Sequence, residues 1–516
     1  MNRREFLRTM GLGAAALAVP GRAGLAEGLS GNLKRAVPNV VFIMADDMGY
    51  GDVGCYNPES KIPTPNMDNL AAQGVRFTDA HSPSAVCTPT RYGVLTGRYC
   101  WRTRLKRGVL NGFSRPLISR DQMTVAELLK KHGYCTACIG KWHLGVGWQS
   151  KDGQAVTSSK DADRVDFTKS ITDGPNEHGF DYCFITAACS TVDSPYVFIE
   201  NGKCTAQPTA TMVKKDSVSR FGSRAGPMVP GWLNEDVDPT YVEKTEEFLK
   251  RHQQNHKDSP FFVYLPLSAP HAPWLPPVFA KGQSGEGPRG DLVVLVDWCI
   301  GQVLGTLDRL NLAENTLVIV TSDNGPRIGA KGHKSAGPWR GYKSHTWEGG
   351  HRIPFIARWP GKITPGTTCD ELICLMDLMA TSAAIVGTEL PDNAGQDSFN
   401  VLPLLLGEKL AGPVRDSLVS HSSKGIFAIR KGLWKLILET KGSGGWVDPR
   451  DSGPFSAEVP GQLYNLARDP FETNDLWDGH PEIVQRLTEL LKRYKEQGYS
   501  RPLKGLRLRG VLQAGG

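Results

Sequence analysis

Long apolar stretches are missing from this chain of 516 residues: past Ala26 no run approaches the roughly 18 uninterrupted apolar residues that a bilayer-spanning helix needs. No stable membrane span is therefore expected. A strong charge of one sign is missing too. Lys and Arg number 60 against 53 Asp and Glu, and with residues 1–26 set aside 56 basic residues face 52 acidic ones, a net of +4. That excess is too slight to build a polyanion groove, so no nucleic-acid partner is expected. Neither an internal repeat nor a long low-complexity tract is present, which removes collagen-like and coiled-coil architectures. Cysteine is sparse and odd in number, at 11, and does not make a full disulfide framework. What is there is an ordinary globular composition, 40% hydrophobic and 22% charged with 12 Trp and 18 Phe. The length admits one large α/β domain with an appendage, or two to three smaller domains.

The N-terminal segment is read apart from the fold. Asn-Arg-Arg-Glu-Phe-Leu-Arg (2–8) leads into the apolar run Met10–Val19, and small residues follow at Gly24-Leu25-Ala26. This resembles a twin-arginine export signal over residues 1–26. It implies the twin-arginine export machinery as a partner and a periplasmic or secreted location in a bacterium. Such substrates generally cross the membrane folded, so the cysteines first meet a reducing cytoplasm, in keeping with their odd count. Cys183, Cys189 and Cys204 stay open to pairing after export.

Residues 38–45 form a short continuous apolar run with β-branched members, the pattern of a strand buried on both faces. The pattern recurs at 134–140, 261–267 and 316–322. Helical patterns precede each recurrence, at 124–132, 241–252 and 291–310. Helix alternating with buried strand predicts a doubly wound α/β fold with a mostly parallel sheet. Beyond residue 400 the pattern changes. Strands are expected at 426–430, 434–438 and 462–466 and a helix at 481–497, so a smaller α+β domain with an antiparallel sheet is placed at 410–516, after a catalytic domain at 27–409. Residues 147–178 and 201–232 read as long loops over the rim.

In an open α/β sheet the ligand site lies beyond the carboxyl ends of the strands. After the four strands come Asp46-Asp47, Lys141-Trp142-His143, Ser268-Ala269-Pro270-His271 and Asp323-Asn324-Gly325. Any one of these alone is bland, since Asp-Asn-Gly is usually a turn and a lone His usually caps or sits on the surface. Their convergence on one rim is the signal. Asp46, Asp47, Asp323 and Asn324 supply three carboxylates and one amide oxygen, a hard donor set that favours Ca²⁺ or Mg²⁺ over zinc. His143 and His271 are the candidates for proton transfer.

Cys87-Thr-Pro-Thr-Arg91, followed by Leu95-Thr-Gly97, is the most specific stretch. A cysteine opening a helical run lies at the positive end of the helix dipole, where growing negative charge is stabilised. The Cys-x-Pro-x-Arg pattern resembles the signature of the type I, formylglycine-dependent sulfatases, the arylsulfatase and N-acetylgalactosamine-6-sulfatase-like enzymes. The resemblance extends over Asp46-Asp47, Gly140–Gly145, Pro270–Pro273, Ser322–Gly325, Lys343 with Glu348-Gly-Gly350, and Leu463–Leu466 with Asp469-Pro470. It implies an alkaline phosphatase-like fold, a Cys87 oxidised to formylglycine by a maturation enzyme, and one Ca²⁺ per chain (with Mg²⁺ as the other candidate) held by Asp46, Asp47, Asp323, Asn324 and the modified Cys87. By the same resemblance Arg91 holds the aldehyde hydrate, Lys141 and Lys343 neutralise sulfate oxygens, His271 protonates the leaving oxygen and His143 assists the nucleophile; imidazole chemistry alone does not fix which histidine is which. The implied activity is hydrolysis of a sulfuric ester on a sulfated carbohydrate or aryl sulfate, within sulfated-polysaccharide degradation.

Two other readings share the fold. Phosphomonoester and phosphonate hydrolases can share the metal site, and some also use formylglycine; the phosphatases usually add a second metal set, and no further Asp/His cluster of that kind stands out. A non-catalytic carbohydrate-binding relic would lack part of the core set, and nothing is lacking. His333, His345 and His351 are taken as loop histidines, Cys135–Cys138 as strand residues on opposite faces, and the basic run 501–509 as a solvated tail.

Overall fold

The computed structural model describes residues 37–214, 222–439, 442–445 and 460–503. The export-type segment 1–26 lies outside them, as do residues 504–509 of the basic tail. From Pro38 onward the chain forms one compact unit. Its centre is β1 (Asn39–Ala45), in which every residue is buried, as a strand with neighbours on both edges and helices on both faces must be.

Nine further strands complete the sheet: β2 (Val75–Phe77), β3 (Cys135–Lys141), β4 (Tyr182–Thr186), β5 (Ile199–Glu200), β6 (Lys203–Cys204), β7 (Phe261–Pro266), β8 (Thr316–Ser322), β9 (Phe355–Arg358) and β10 (Thr367–Cys369). Their spatial order is β10-β2-β9-β8-β1-β7-β3-β4-β5-β6. The central five, from β8 to β4, run parallel, whereas β9 on one side and β5 on the other run antiparallel to them, and β6 pairs antiparallel with β5. The expected mostly parallel sheet is thus present, with its antiparallel flanks in short strands too brief to leave a period in the sequence.

The helices that matter to the site are α1 (Cys87–Thr96), α2 (Val125–Lys131), α3 (Val237–Asn255) and α4 (Pro288–Arg309). Val41, Ile43, Val263 and Val318 pack with Tyr241 and Leu249 of α3 and Val293, Val296 and Ile300 of α4. Phe42 and Ile319 face the opposite layer with Leu378 of helix Leu378–Ile385. Among the described residues α4 alone is long and apolar enough to cross a membrane, and most of it is buried against the sheet.

Toward the C-terminus, Ser417–His421, Phe427–Lys431, Trp434–Ile437 and Gln462–Asn465 form a second, four-stranded antiparallel sheet in sequential order. Helix Pro481–Gln497 presents Ile483, Leu487, Leu490, Leu491 and Tyr494 at helical spacing, and these pack with Val419, Ile429, Leu436 and Leu463. This sheet is pinned to the main one by a buried ionic cluster. Lys435 lies 2.9 Å from Glu348 and 2.8 Å from Glu472, and Arg430 pairs with Asp79 at 2.8 Å.

Candidate active site

Four parallel strands end on one rim, and each leads to polar residues where the backbone leaves the sheet and the continuous apolar run stops. β1 delivers Asp46 and Asp47, β3 delivers Lys141 and then His143, β7 leads to His271, and β8 delivers Asp323 and Asn324. All are buried except His271, whose side chain is 10% exposed. Cys87 is the first residue of α1 and is 2% exposed, with the first-turn N–H groups of the helix behind it. α1 stops at Gly97, whose φ of +62° is the left-handed C-cap that glycine fills without strain. Gly325, after Asn324, is required by contact: a Cβ there would stand 2.0 Å from the Gly349 carbonyl oxygen.

Lys343 arrives from a loop. Its Nζ lies 2.5 Å from Asp47 Oδ1 and 3.9 Å from Asp46 Oδ1, and its amide donates to the Pro326 carbonyl at 2.7 Å. Lys141 Nζ bonds Asp46 Oδ2. Arg91, one helical turn beyond Cys87, lies behind the carboxylates: Nη2 donates to Asp323 Oδ2 at 2.7 Å and Asp46 Oδ2 at 3.1 Å, and Nη1 to the Lys141 carbonyl at 2.9 Å. Asp47, His143 and Ser344 have φ of +71°, +57° and +81°, a left-handed backbone costly for non-glycine residues, which clusters at sites where neighbouring structure imposes it.

The electrostatics follow from burial opposed by pairing. Burial by itself would raise the Asp46 carboxyl, yet Lys141, His271, Arg91 and Lys343 together hold it well below the carboxylate range, and Asp47 is held down in the same way, chiefly by Lys343. Asp323 goes the other way, raised to about 6 by burial and by the Asp46 charge. Burial lowers His271 to about 3 and holds His143 well below its ordinary value, with Lys343 acting on the first and Lys141 on the second. Burial also raises the Cys87 thiol, against the pull of Lys141 and Lys343.

A divalent cation fits this donor set. Asp46 Oδ1, Asp47 Oδ2 and Asn324 Oδ1 are buried oxygens that accept no hydrogen bond, an arrangement too costly to persist without a partner. Oxygens of Asp46 and Asp323 and the Cys87 Sγ lie within 4.8 Å of one another, as do oxygens of Asp46 and Asp47 and a His271 nitrogen. The remaining His/Glu group of this kind among the described residues, His81, Glu348 and His351, is filled from the second sheet by Lys435, 3.2 Å from His351 Nε2.

The structure therefore brings together all ten residues read from the sequence as catalytic or metal-binding. The three further histidines are elsewhere and buried. His333 pairs with Asp52 at 2.9 Å, His345 packs on Trp347, and His351 meets His81 at 2.9 Å. All eleven cysteines are free thiols, Cys183, Cys189 and Cys204 among them. Sequence reasoning missed Cys189, whose Sγ lies 3.3 Å from both Lys141 Nζ and His271 Nδ1. The available signal was Tyr182–Thr186, a five-residue β-rich run whose end makes Cys189 another rim residue. It also missed Asp238, at the start of α3, which accepts the Ser268 and Ala269 amides at 2.7 and 3.0 Å and so fixes the turn before His271.

A doubly wound α/β sheet with a cysteine at a helix N-terminus, hard oxygen donors and two lysines at one rim is the setting of a hydrolase of anionic esters. The match with known proteins narrows the class. The Sulfatase family model matches residues 38–388. The chain is 36% identical to N-acetylgalactosamine-6-O-sulfatase of Bacteroides thetaiotaomicron, covering 89% of this chain and 93% of that one. It is likewise 36% identical to arylsulfatase A of Homo sapiens, covering 88% and 87%. A solved structure from the study of multiple-glycosaminoglycan metabolism by Bacteroides thetaiotaomicron superposes with a TM-score of 0.75 at 34% identity, covering 89% of this chain and 99% of that one. The chain belongs to the sulfatase family and is a sulfuric ester hydrolase with an alkaline phosphatase-like fold.

Proposed function

We propose that this sulfatase removes sulfate from a sulfated carbohydrate outside the cytoplasm, using a formylglycine made from Cys87 by a maturation enzyme and one divalent cation, Ca²⁺ ahead of Mg²⁺. The observation that carries the reading is the set of three buried oxygens that accept no hydrogen bond, on Asp46, Asp47 and Asn324, beside a cysteine at a helix N-terminus. The carbohydrate assignment draws on the relatives, one named as an N-acetylgalactosamine-6-O-sulfatase and one solved in a glycosaminoglycan study. The N-terminal sequence pattern supports export by the twin-arginine route.

Asp46, Asp47, Asp323, Asn324 and the modified Cys87 would hold the cation. Together, cation and aldehyde hydrate supply an activated oxygen nucleophile and a second hydroxyl through which the carbonyl can re-form. The chain's own groups do the rest. Arg91 keeps Asp46 and Asp323 aimed at one point. Lys343 and Lys141 set two positive charges where ester-sulfate oxygens arrive, charge complementarity that needs no rearrangement as the transition state forms. His271 donates Nδ1–H to the Ala272 carbonyl at 2.7 Å, so Nε2 is the atom that would carry the proton to the departing oxygen, once the charge of a bound sulfate ester opposes the burial and the Lys343 charge that keep the ring neutral. His143 donates Nε2–H to the Leu110 carbonyl at 2.8 Å, which leaves its Nδ1, without a hydrogen-bond partner, as the atom that would take a proton from the nucleophile.

Peptide mass spectrometry of the Cys87 fragment from an active preparation tests the modification. Turnover by protein carrying only the thiol would refute it. Release of sulfate from a panel of defined sulfated oligosaccharides, with 4-nitrophenyl sulfate for comparison, tests the substrate class.

A further inference from the structure

Local charge departs from the mild global balance between Arg98 and Arg107. Five cations (Arg98, Arg102, Arg104, Lys106 and Arg107) fall within ten residues that contain no Asp or Glu. In the fold, Arg98, Arg102 and Lys106 meet Lys495 of helix Pro481–Gln497 around a cleft of about 390 Å³, with Trp101 and Phe427 as its apolar lining and no carboxylate among its lining residues.

The four cations are not equivalent. Arg102 is structural, since its guanidinium grips Asp397 at 2.8 Å and stacks over Trp101 at 4.3 Å. Arg98 donates to the Tyr92 hydroxyl at 3.2 Å, Lys106 to the Trp101 carbonyl at 2.7 Å, and Lys495 lies 3.7 Å from the centre of the Phe427 ring. Among the described residues none of these three forms an ion pair with a carboxylate, so three positive charges converge on one cleft with nothing to neutralise them. Lys495 is depressed by burial alone, which agrees with that imbalance. Such a concave cationic surface attracts an anion. Trp101 and Phe427 meet edge to face at 5.5 Å in its wall, and their rings carry Arg102 and Lys495, so the aromatic groups hold the cations at the cleft rather than offering a bare face.

The cleft is separate from the catalytic rim but tied to it by short pieces of chain. α1 carries Cys87 at one end and reaches Arg98 just past the other, roughly 15 Å away for ten helical residues. From Lys106 the chain runs to Leu110, at most about 14 Å on, and the Leu110 carbonyl holds His143. Between them the Gly108 amide donates to Ser423, whose own amide donates to Ser344, the neighbour of Lys343.

We propose that the cleft of Arg98, Lys106, Lys495, Trp101 and Phe427 is a second anion subsite, which takes a sulfate group on another sugar of the same glycan chain while the scissile ester occupies the rim. The proposal rests on the sulfated-carbohydrate reading and makes the enzyme one that recognises multiply sulfated oligosaccharides in preference to isolated sulfated units.

The test separates binding from turnover. A Cys87→Ala protein is titrated with fluorescein-labelled dextran sulfate oligomer, with unsulfated dextran as control, and then with Arg98→Ala, Lys106→Ala and Lys495→Ala combined. A second triple variant removes the exposed Lys160, Lys281 and Lys409, all outside the cleft, and matches the change in net charge. The cleft variant should weaken binding by roughly three- to thirty-fold, the range for three partly exposed charge contacts, while the matched variant leaves it within a factor of two. In protein retaining Cys87, the cleft variant should hydrolyse 4-nitrophenyl sulfate at the parent rate, and its thermal midpoint should match the parent. Equal weakening by the two triple variants, or none by the cleft variant, overturns the subsite. Loss of dextran sulfate binding specific to the cleft, in an enzyme that desulfates no glycan, would leave the cleft an anion site but refute the carbohydrate reading, and with it the cleft's role as a glycan subsite.

Discussion

His271 and His143 present the same functional group in opposite settings. His143 is sealed in, with Nε2 committed to the Leu110 carbonyl, whereas His271 retains a partly exposed ring at the mouth, 3.8 Å from Asp47 Oδ2 and beside Cys189. A group that serves the departing alcohol must be reachable by substrate, and that favours His271 for leaving-group protonation. A sugar hydroxyl is a poor leaving group that needs a proton as the S–O bond breaks, while 4-nitrophenolate departs with little help. His271→Ala should therefore depress carbohydrate desulfation by about 10²- to 10⁴-fold, the range for loss of a general acid, and hydrolysis of 4-nitrophenyl sulfate far less. His143→Ala should slow both alike. The quantity to measure is kcat/KM for each variant on both substrates, and equal losses from His271→Ala would remove it from that role.

Elements explain why the rim holds its shape, and they also mark where the sequence was legible. Strand β1, β8 and the C-terminal helix leave long, unbroken signatures, and Asp46, Asp47, Asp323 and Asn324 could be placed by counting past the strand ends. Residues that act through tertiary contact leave no such trace. Asp238 reads as one more acidic residue in a helical stretch until the Ser268 and Ala269 amides are seen on it. Lys435 reads as a surface lysine between apolar neighbours in Trp434-Lys-Leu-Ile437, where strand alternation would turn it to solvent on a one-sided sheet. It is instead 1% exposed, because the sheet is covered on that face by the helix Glu348–His351 and its neighbours, with Glu348 and Glu472 as its counter-charges. Glu472 also accepts the Glu348 amide at 2.6 Å, so the second sheet braces the helix that follows Lys343 and packs behind Gly325. Lys435→Met would leave two carboxylates facing each other in the interior and should lower stability by about 3–5 kcal/mol. Burial already raises Glu472 to about 7, so adding Glu472→Gln should restore part of the loss. Urea unfolding of the single and double variants measures it; a double variant as unstable as Lys435→Met would show that the damage is not electrostatic.

At the scale of the whole molecule the ionisable interior makes stability depend on pH and on cations. His421 is 1% exposed, and burial lowers it to about 4 from an ordinary 6.5; His81 and His351 are lowered as well, for the same reason. A histidine whose folded pKa is depressed binds fewer protons folded than unfolded, so its contribution is complete above about 6.5 and is lost as pH falls toward 4. For His421 the loss amounts to at most about 3 kcal/mol, and His421→Gln should make the fall in unfolding free energy between pH 7 and 4 shallower by up to that amount. Cation binding acts through a different linkage. In the rim three carboxylates (Asp46, Asp47 and Asp323) are offset by Arg91, Lys141 and Lys343, yet three oxygens still lack partners. A ligand for those oxygens binds the folded chain alone and stabilises it by mass action, by about 2.7 kcal/mol at a hundred times its Kd. Ca²⁺ should raise the thermal midpoint, and a chelator should reverse the rise. Asp323 is the informative position, because its carboxyl is already raised to about 6 by burial and the Asp46 charge, so Asp323→Asn relieves repulsion among the acids while removing a proposed ligand. That variant also takes from Arg91 its nearer counter-charge, so its midpoint should lie at or below that of chelator-treated parent, and it should show little response to Ca²⁺. Thermal unfolding of both proteins across a Ca²⁺ series gives the comparison, and an undiminished Ca²⁺ response in Asp323→Asn would take Asp323 out of the proposed cation site.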